Sequence, residues 1–226
     1  MSQSGAGGDE VKALVVPDLH SDQDVQRGLR MSDAFPMQYG VPEDNSVANW
    51  RPLVHWAMAI PHMIIASVLL FVVEIVAFIS WFVIMFTGKL PEGMANVMIM
   101  AMRYSTRTNS HLLGLTETYP PFSFDTVAED PGDHDVTLSI QAALEDRNRV
   151  TVFFRIFMLI PLLIVGYIWE IIAGIVMLIA WFAVLFTGRY PVGLRNITVG
   201  FFRYFNRMGV YGFLLTDQYP SFSLTE

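Results

Sequence analysis

The chain has 226 residues, 53% of them hydrophobic and only 15% charged, with 14 Lys/Arg against 21 Asp/Glu and a formal net charge of −7. A soluble domain is about one-quarter charged, so the deficit points to a membrane protein, and an acidic balance without a basic patch argues against nucleic acid as a partner. Cysteine is absent, which removes disulfides, thiolate nucleophiles and thiolate metal sites.

In chain order, residues 1–48 read as an acidic tail. Residues 1–49 hold three Lys/Arg and eight Asp/Glu, without the basic-then-apolar start of a signal peptide. Residues 1–10 read as flexible, and "VKALVVPD" at 11–18 reads as a short strand. The first apolar run follows at 52–86, much longer than the ~20 residues that cross a bilayer as one helix. "TGKLPEG" then breaks the helix, Gly ending one segment and Pro admitting the next. On the second helix, about 92–115, Asn96, Arg103 and Arg107 share one line while Met94, Met98 and Ala101 lie opposite. That is an amphipathic pattern suited to the headgroup plane.

After "TYPPFSF" comes an acidic linker, 125–147. Its residues 125–145 hold six Asp/Glu and no Lys/Arg. Residues 125–133 read as flexible, and "DVTLSI" alternates as a short strand does. The pattern then starts again. Shifted by one hundred positions, Pro61 meets Pro161, Trp81–Phe82 meets Trp181–Phe182, and Thr87, Gly88 and Pro91 meet Thr187, Gly188 and Pro191. Arg103, Arg107 and Tyr119–Pro120 meet Arg203, Arg207 and Tyr219–Pro220. The chain is therefore a tandem duplication: a first membrane repeat at 49–124 and a second at 148–226.

The expected fold is an all-α integral membrane protein, each repeat a hydrophobic helical hairpin or one long span plus an amphipathic interfacial helix. Minor short strands are expected in tail and linker. The hairpin, with four crossings in all, is the preferred reading. It lifts Glu74 and Glu170 out of the hydrocarbon centre, where a carboxylate costs several kcal/mol. It also keeps both copies in one orientation, so that the matched Lys89/Arg189 and Arg pairs all lie on the positive-inside side. Against it, "ASVLLFVVE" offers no residue for a tight turn.

The assembled motifs resemble a bacterial membrane-protein family known only as a domain of unknown function. They are "FRIFMLIP", "WFAVLFTGRYP", "GFFRYFNR" and "YPSFSL", and they cover 49–124 less strictly and 148–224 closely. The first copy departs with "VIMFTGKLP" and with His55 where the second has Arg155. The resemblance implies an architecture and no activity.

Candidate sites follow from residue type. Lys89, Arg103, Arg107, Arg189, Arg203 and Arg207 suit lipid phosphate, for which a guanidinium at the headgroup plane is a bidentate partner; the acidic linker or tail is the competing partner. Glu74 and Glu170 are the intramembrane acids, read either as an ion relay or as hairpin-tip carboxylates. Thr87, Gly88, Pro91, Thr187, Gly188 and Pro191 are structural. His55, His62 and His111 lack metal-ligand spacing and read as packed or interfacial, and Met94, Met98, Met100 and Met102 as adaptable packing. No catalytic set is present.

The expected function is a non-enzymatic accessory or scaffolding subunit of a larger membrane complex. It would use no cofactor, hold bound phospholipids, and meet other subunits through tail and linker. A bilayer-shaping hairpin protein and a small transporter or channel using the two Glu are the alternatives. The expected location is the bacterial inner membrane, multi-pass, with tail, linker and amphipathic helices cytoplasmic.

Overall fold

Each apolar run forms one long helix, the second after a short helical turn that breaks at Phe154. The computed structural model describes residues 35–44 and 46–224, so the expected strand at 11–18 and flexible start at 1–10 lie outside the described residues. In order, the elements are β1 (Met37–Gly40), α1 (Arg51–Thr87), α2 (Glu92–Leu112), β2 (Thr137–Ile140), α3 (Arg149–Phe153), α4 (Arg155–Thr187) and α5 (Val192–Gly212). The hairpin is thus corrected: α1 runs through "ASVLLFVVE" because nothing there can reverse a chain. Its 37 residues extend about 55 Å at 1.5 Å per residue.

The Thr-Gly-basic-x-Pro motif makes the one sharp reversal in each repeat. Gly88 and Gly188 close their helices in the left-handed conformation, φ 74° and 65°, each donating its N–H back to Ile84 or Val184. Thr87 Oγ1 donates to Val83 O and accepts the Lys89 N–H; Thr187 repeats this with Ala183 and Arg189. Pro91 and Pro191 then stand at the N-caps of α2 and α5. Each second helix folds back antiparallel on its long helix, as the Ser80–Met94, His62–Tyr104 and His55–His111 contacts record.

The two repeats are joined by reciprocal contacts. Trp81 Nε1 donates to Val152 O at 3.0 Å, and Trp181 Nε1 to Pro52 O at 2.8 Å. Arg147 N donates to Gly88 O at 3.0 Å, and Val47 N to Gly188 O at 3.1 Å. Each pair is the other moved by one hundred positions and swapped, which is the signature of an internal pseudo-twofold. β1 and β2 obey it too, pairing antiparallel with Gln38 opposite Ser139 and Tyr39 opposite Leu138. Thr106 Oγ1 meets Asn206 Oδ1 at 2.8 Å on the same axis. Because the C-terminal end of each long helix touches the N-terminal end of the other, α1 and α4 run antiparallel. The long helices of the two copies are inverted with respect to each other about that axis.

Along the pseudo-twofold lie three layers. The long helices α1 and α4 form the first, α2 and α5 the second, and the β1–β2 ribbon with its flanking extended chain the third. α2 is therefore no interfacial helix. Ile99, Ala101, Arg103, Arg107 and Thr108 are all buried. Its amphipathic pattern serves two covers, α1 on the apolar side and the linker on the basic side.

The left-handed Gly88 and Gly188 are not equally forgiving. An added Cβ at Gly88 would meet the movable end of Arg149 at 3.2 Å, whereas at Gly188 it would meet Asn49 Oδ1 at 2.3 Å. Gly88→Ala should cost about 1–2 kcal/mol through backbone strain, read as a fall in Tm of the purified protein. Gly188→Ala should cost more; an equal or smaller fall would contradict this account of the two turns.

Candidate functional site

The candidate site is the outer face of α1 and α4 together with the polar layer behind it. In α1, positions such as Pro52, His55, Ala59, His62, Ala66, Val73, Ser80 and Ile84 are buried, a stripe at helical spacing. The rest of its circumference is exposed and apolar, Ile64, Phe71, Phe78 and Phe86 being 62%, 63%, 65% and 80% accessible. α4 does the same with Ile156, Tyr167, Leu178 and Phe186. Both helices are long and apolar enough to cross a membrane, yet only 17% and 22% of their most apolar stretches are buried. The core helix of a soluble domain would be mostly buried.

Behind that face the linker works as a strap. It starts beside the α1 entry, where Tyr119 OH donates to Met58 O and Glu117 holds Arg51 and the Ala48 N–H. It ends beside the α1 exit, where Leu90 N donates to Leu144 O and Lys89 Nζ pairs with Glu145 at 3.0 Å. Between these points it is irregular apart from β2, and Asp125, Glu129, Asp133 and Asp135 are exposed along it. Residues 35–44 and 46–48 form the counterpart along α5: Tyr39 packs on Phe202, Arg195 donates to Pro42 O, and Glu43 and Asp44 are exposed.

The strap accounts for two of the candidate cations. Arg103 and Arg107 have side chains 5% exposed and converge on Asp130, at 3.3 and 2.8 Å, while Arg107 also reaches Asp133 at 2.9 Å. Carbonyls of Val127, Ala128, Val136 and Leu138 accept further N–H groups of the pair. The lipid-headgroup reading is corrected for this pair. A buried guanidinium needs a fixed counter-charge, and the linker brings one, which also orders residues 125–133 that read as flexible. Arg207 is buried and donates to Ser223 O. Arg203 is half-buried, its charge acting on Tyr39. Lys89 and Arg189 are on exposed turns, Arg189 bridging to Ser46.

The two acids separate. Glu170 lines a cleft between the repeats, while Glu74 is exposed on α1 and is absent from that lining.

At the entry of each long helix the copies use different chemistry for the same joint. In the second, Asp217 takes Arg147 at 2.8 Å, Arg155 at 2.6 Å and the Asn148 N–H at 2.9 Å, and Arg155 stacks on Tyr211 at 3.9 Å. Burial pushes the Asp217 carboxyl up, but the Arg147 hydrogen bond, the Asn148 N–H and the two guanidinium charges outweigh it, so its pKa is lowered. In the first copy Glu117 replaces Asp217, and His55 and His111, rings 4.3 Å apart, replace Arg155 and Tyr211. His62 donates to or accepts from Tyr104 OH at 2.6 Å and stacks on Phe122 at 4.1 Å. These histidines are buried packing groups, and among the described residues no three His, Cys, Asp or Glu side chains are arranged to hold a metal ion. The Asp217 clamp was missed from sequence. Its signal is the acid that both copies keep in "TETYP" and "TDQYP".

The model of one family, described as Domain of unknown function (DUF4389), matches residues 49–123 and again 149–223. The chain belongs to that family. It is two tandem copies of the domain, and the residues matched are the two helical pairs with their closing Pro-aromatic segments. No curated protein and no solved structure matches the chain.

Burial and the neighbouring His55 push the His111 pKa down to about 4, below its unfolded value near 6.5. Its contribution is therefore fully present above pH 6.5 and is lost as pH falls through 4. Tm should drop across that window, by the equivalent of up to about 3 kcal/mol. His111→Tyr, which copies Tyr211, should flatten that slope; an unchanged slope would refute the assignment.

Proposed function

We propose that the protein is a non-enzymatic membrane-surface scaffold. α1 and α4 lie in the plane of one leaflet, and the acidic strap layer stays in water for other subunits of a membrane complex to dock on. The observation that carries this reading is the strap. If α1 stood upright, residues 117–145 would have to cross the hydrocarbon beside it as irregular chain bearing exposed carboxylates. No bilayer tolerates that, because free backbone groups and charges there go unsatisfied. Laid flat, the same molecule sends every exposed apolar helix face to lipid and every exposed strap carboxylate to solvent. The copies being inverted fits this orientation as well, since a twofold along the membrane normal treats both alike.

Support for docking is the chemistry of the outer layer. Glu43, Asp44, Asp125, Glu129, Glu145 and Asp146 are exposed there, a surface suited to a basic partner. A second reading, a wedge that curves the bilayer, draws on the length of the paired helices in one leaflet.

The cysteine-free chain allows a clean test. Glu43→Cys and Glu145→Cys mark opposite ends of α1, and Phe78→Cys marks its exposed face. In vesicles of pure protein, an impermeant maleimide should reach both strap cysteines from the same side and leave position 78 unlabelled until detergent is added. In native membranes the strap cysteines should be shielded until partners are stripped with salt. Labelling from opposite sides would refute the in-plane anchor. Equal labelling in both preparations would refute the scaffold.

A further inference from the structure

A cleft of roughly 580 Å³ lies where the pseudo-twofold passes between the long helices. Leu70 of α1 and Glu170 and Met177 of α4 wall it, and α2 and α5 floor it, with the Thr106–Asn206 hydrogen bond at its base. The volume is that of a small-molecule site. It opens between α1 and α4, on the face proposed above to meet lipid, and the inference rests on that reading.

Packing two similar halves about an axis can leave a void, and such a void would have matching walls. These walls do not match. Where the second copy has Glu170, the first has Leu70; where the first has Ser105 and Asn109, the second has Phe205 and Gly209. All six line the cleft except that Leu70 and Glu170 lie on the long helices and the others on the floor. The exchanges give it a carboxylate, a hydroxyl and an amide among aromatic and methionine side chains. The Ser105 hydroxyl is the telling group. Ser105 is 8% exposed, lines the cleft, and its Oγ has no hydrogen-bond partner among the described residues. A buried hydroxyl left without a partner is costly, and such groups point to an absent one.

We propose that the cleft binds one lipid-soluble amphiphile whose head donates hydrogen bonds, a hydroxyl or an ammonium. Glu170 and Asn109 accept from the head, Ser105 completes its hydrogen bonding, and the apolar body lies against Met177, Phe205 and Phe213. An anionic head is disfavoured, because among the described residues Glu170 is the one ionisable side chain lining the cleft and a like charge beside it is repelled. Small side chains keep the space open: Gly174 lines the cleft, and a Cβ added there would meet nothing within 4 Å.

The test uses the full chain in detergent, incubated with hexadecanol, hexadecylamine or hexadecanoate, washed, and assayed for retained amphiphile by mass spectrometry. The expected result is saturable retention of the alcohol or the amine at about tenfold above the carboxylate. Gly174→Leu, which fills the cleft, should lower that retention about tenfold. Asn109→Leu, at an exposed position of the floor, reads the same loss should Gly174→Leu not elute as the wild type does. Amine retention lost in Glu170→Gln assigns an ammonium head; alcohol retention lost in Ser105→Ala assigns a hydroxyl. Equal retention of all three probes, or wild-type retention in a folded cleft-filling variant, would overturn the proposal. Since the assay needs no bilayer, its failure would leave the cysteine-labelling result intact, and a failed labelling result would leave bound amphiphile unexplained by lipid access.

Discussion

An irregular, charged stretch of backbone running the length of an apolar helix fixes how this molecule can meet a membrane. The helix alone is ambiguous: 37 residues of α1 would cross a bilayer with length to spare. On the proposed in-plane reading the strap decides between the two, because hydrocarbon cannot hydrogen-bond its backbone and cannot hydrate its carboxylates. The three layers follow from that constraint. The apolar helices occupy one side, the strap the other, and α2 and α5 fill the space between, apolar toward one neighbour and basic toward the other.

Duplication then supplies the closure. One repeat is a helical pair with an exposed entry and an exposed turn; its inverted copy covers both, Trp81 and Trp181 reaching across to the opposite helix entry. The halves have diverged where the twofold does not demand identity. The entry joint is an Asp217–Arg147–Arg155 cluster in one copy and a neutral histidine pair with Glu117 in the other. The floor of the cleft is polar on α2 and aromatic on α5. Symmetry thus holds in the backbone and in the clamps between copies, and lapses at the groups with distinct chemistry.

The tandem repeat, the Gly-Pro turns and the strand at 137–140 are legible in the sequence, because they are written in local residue type and in a fixed offset. The hairpin expectation fails because the cost of an upright Glu74 says nothing about where a chain can turn, and α1 runs on through Glu74 as one helix. α2 was misread as interfacial because a basic stripe looks the same whether it faces phosphate or a buried Asp130. Which of these it faces depends on where the linker travels, and that is a tertiary fact. The Arg155–Asp217 joint and the Ser105–Glu170 cleft also join residues more than sixty positions apart, and no local pattern announces them.

The most direct measurement of the in-plane arrangement is polarised infrared absorption of the protein in oriented bilayers. All four long elements, α1, α2, α4 and α5, run nearly along one direction, so their amide I dichroism reports a common tilt. The account predicts transition moments lying in the membrane plane. Moments aligned with the membrane normal would mean that the helices span, and the strap would then need some other protection from lipid.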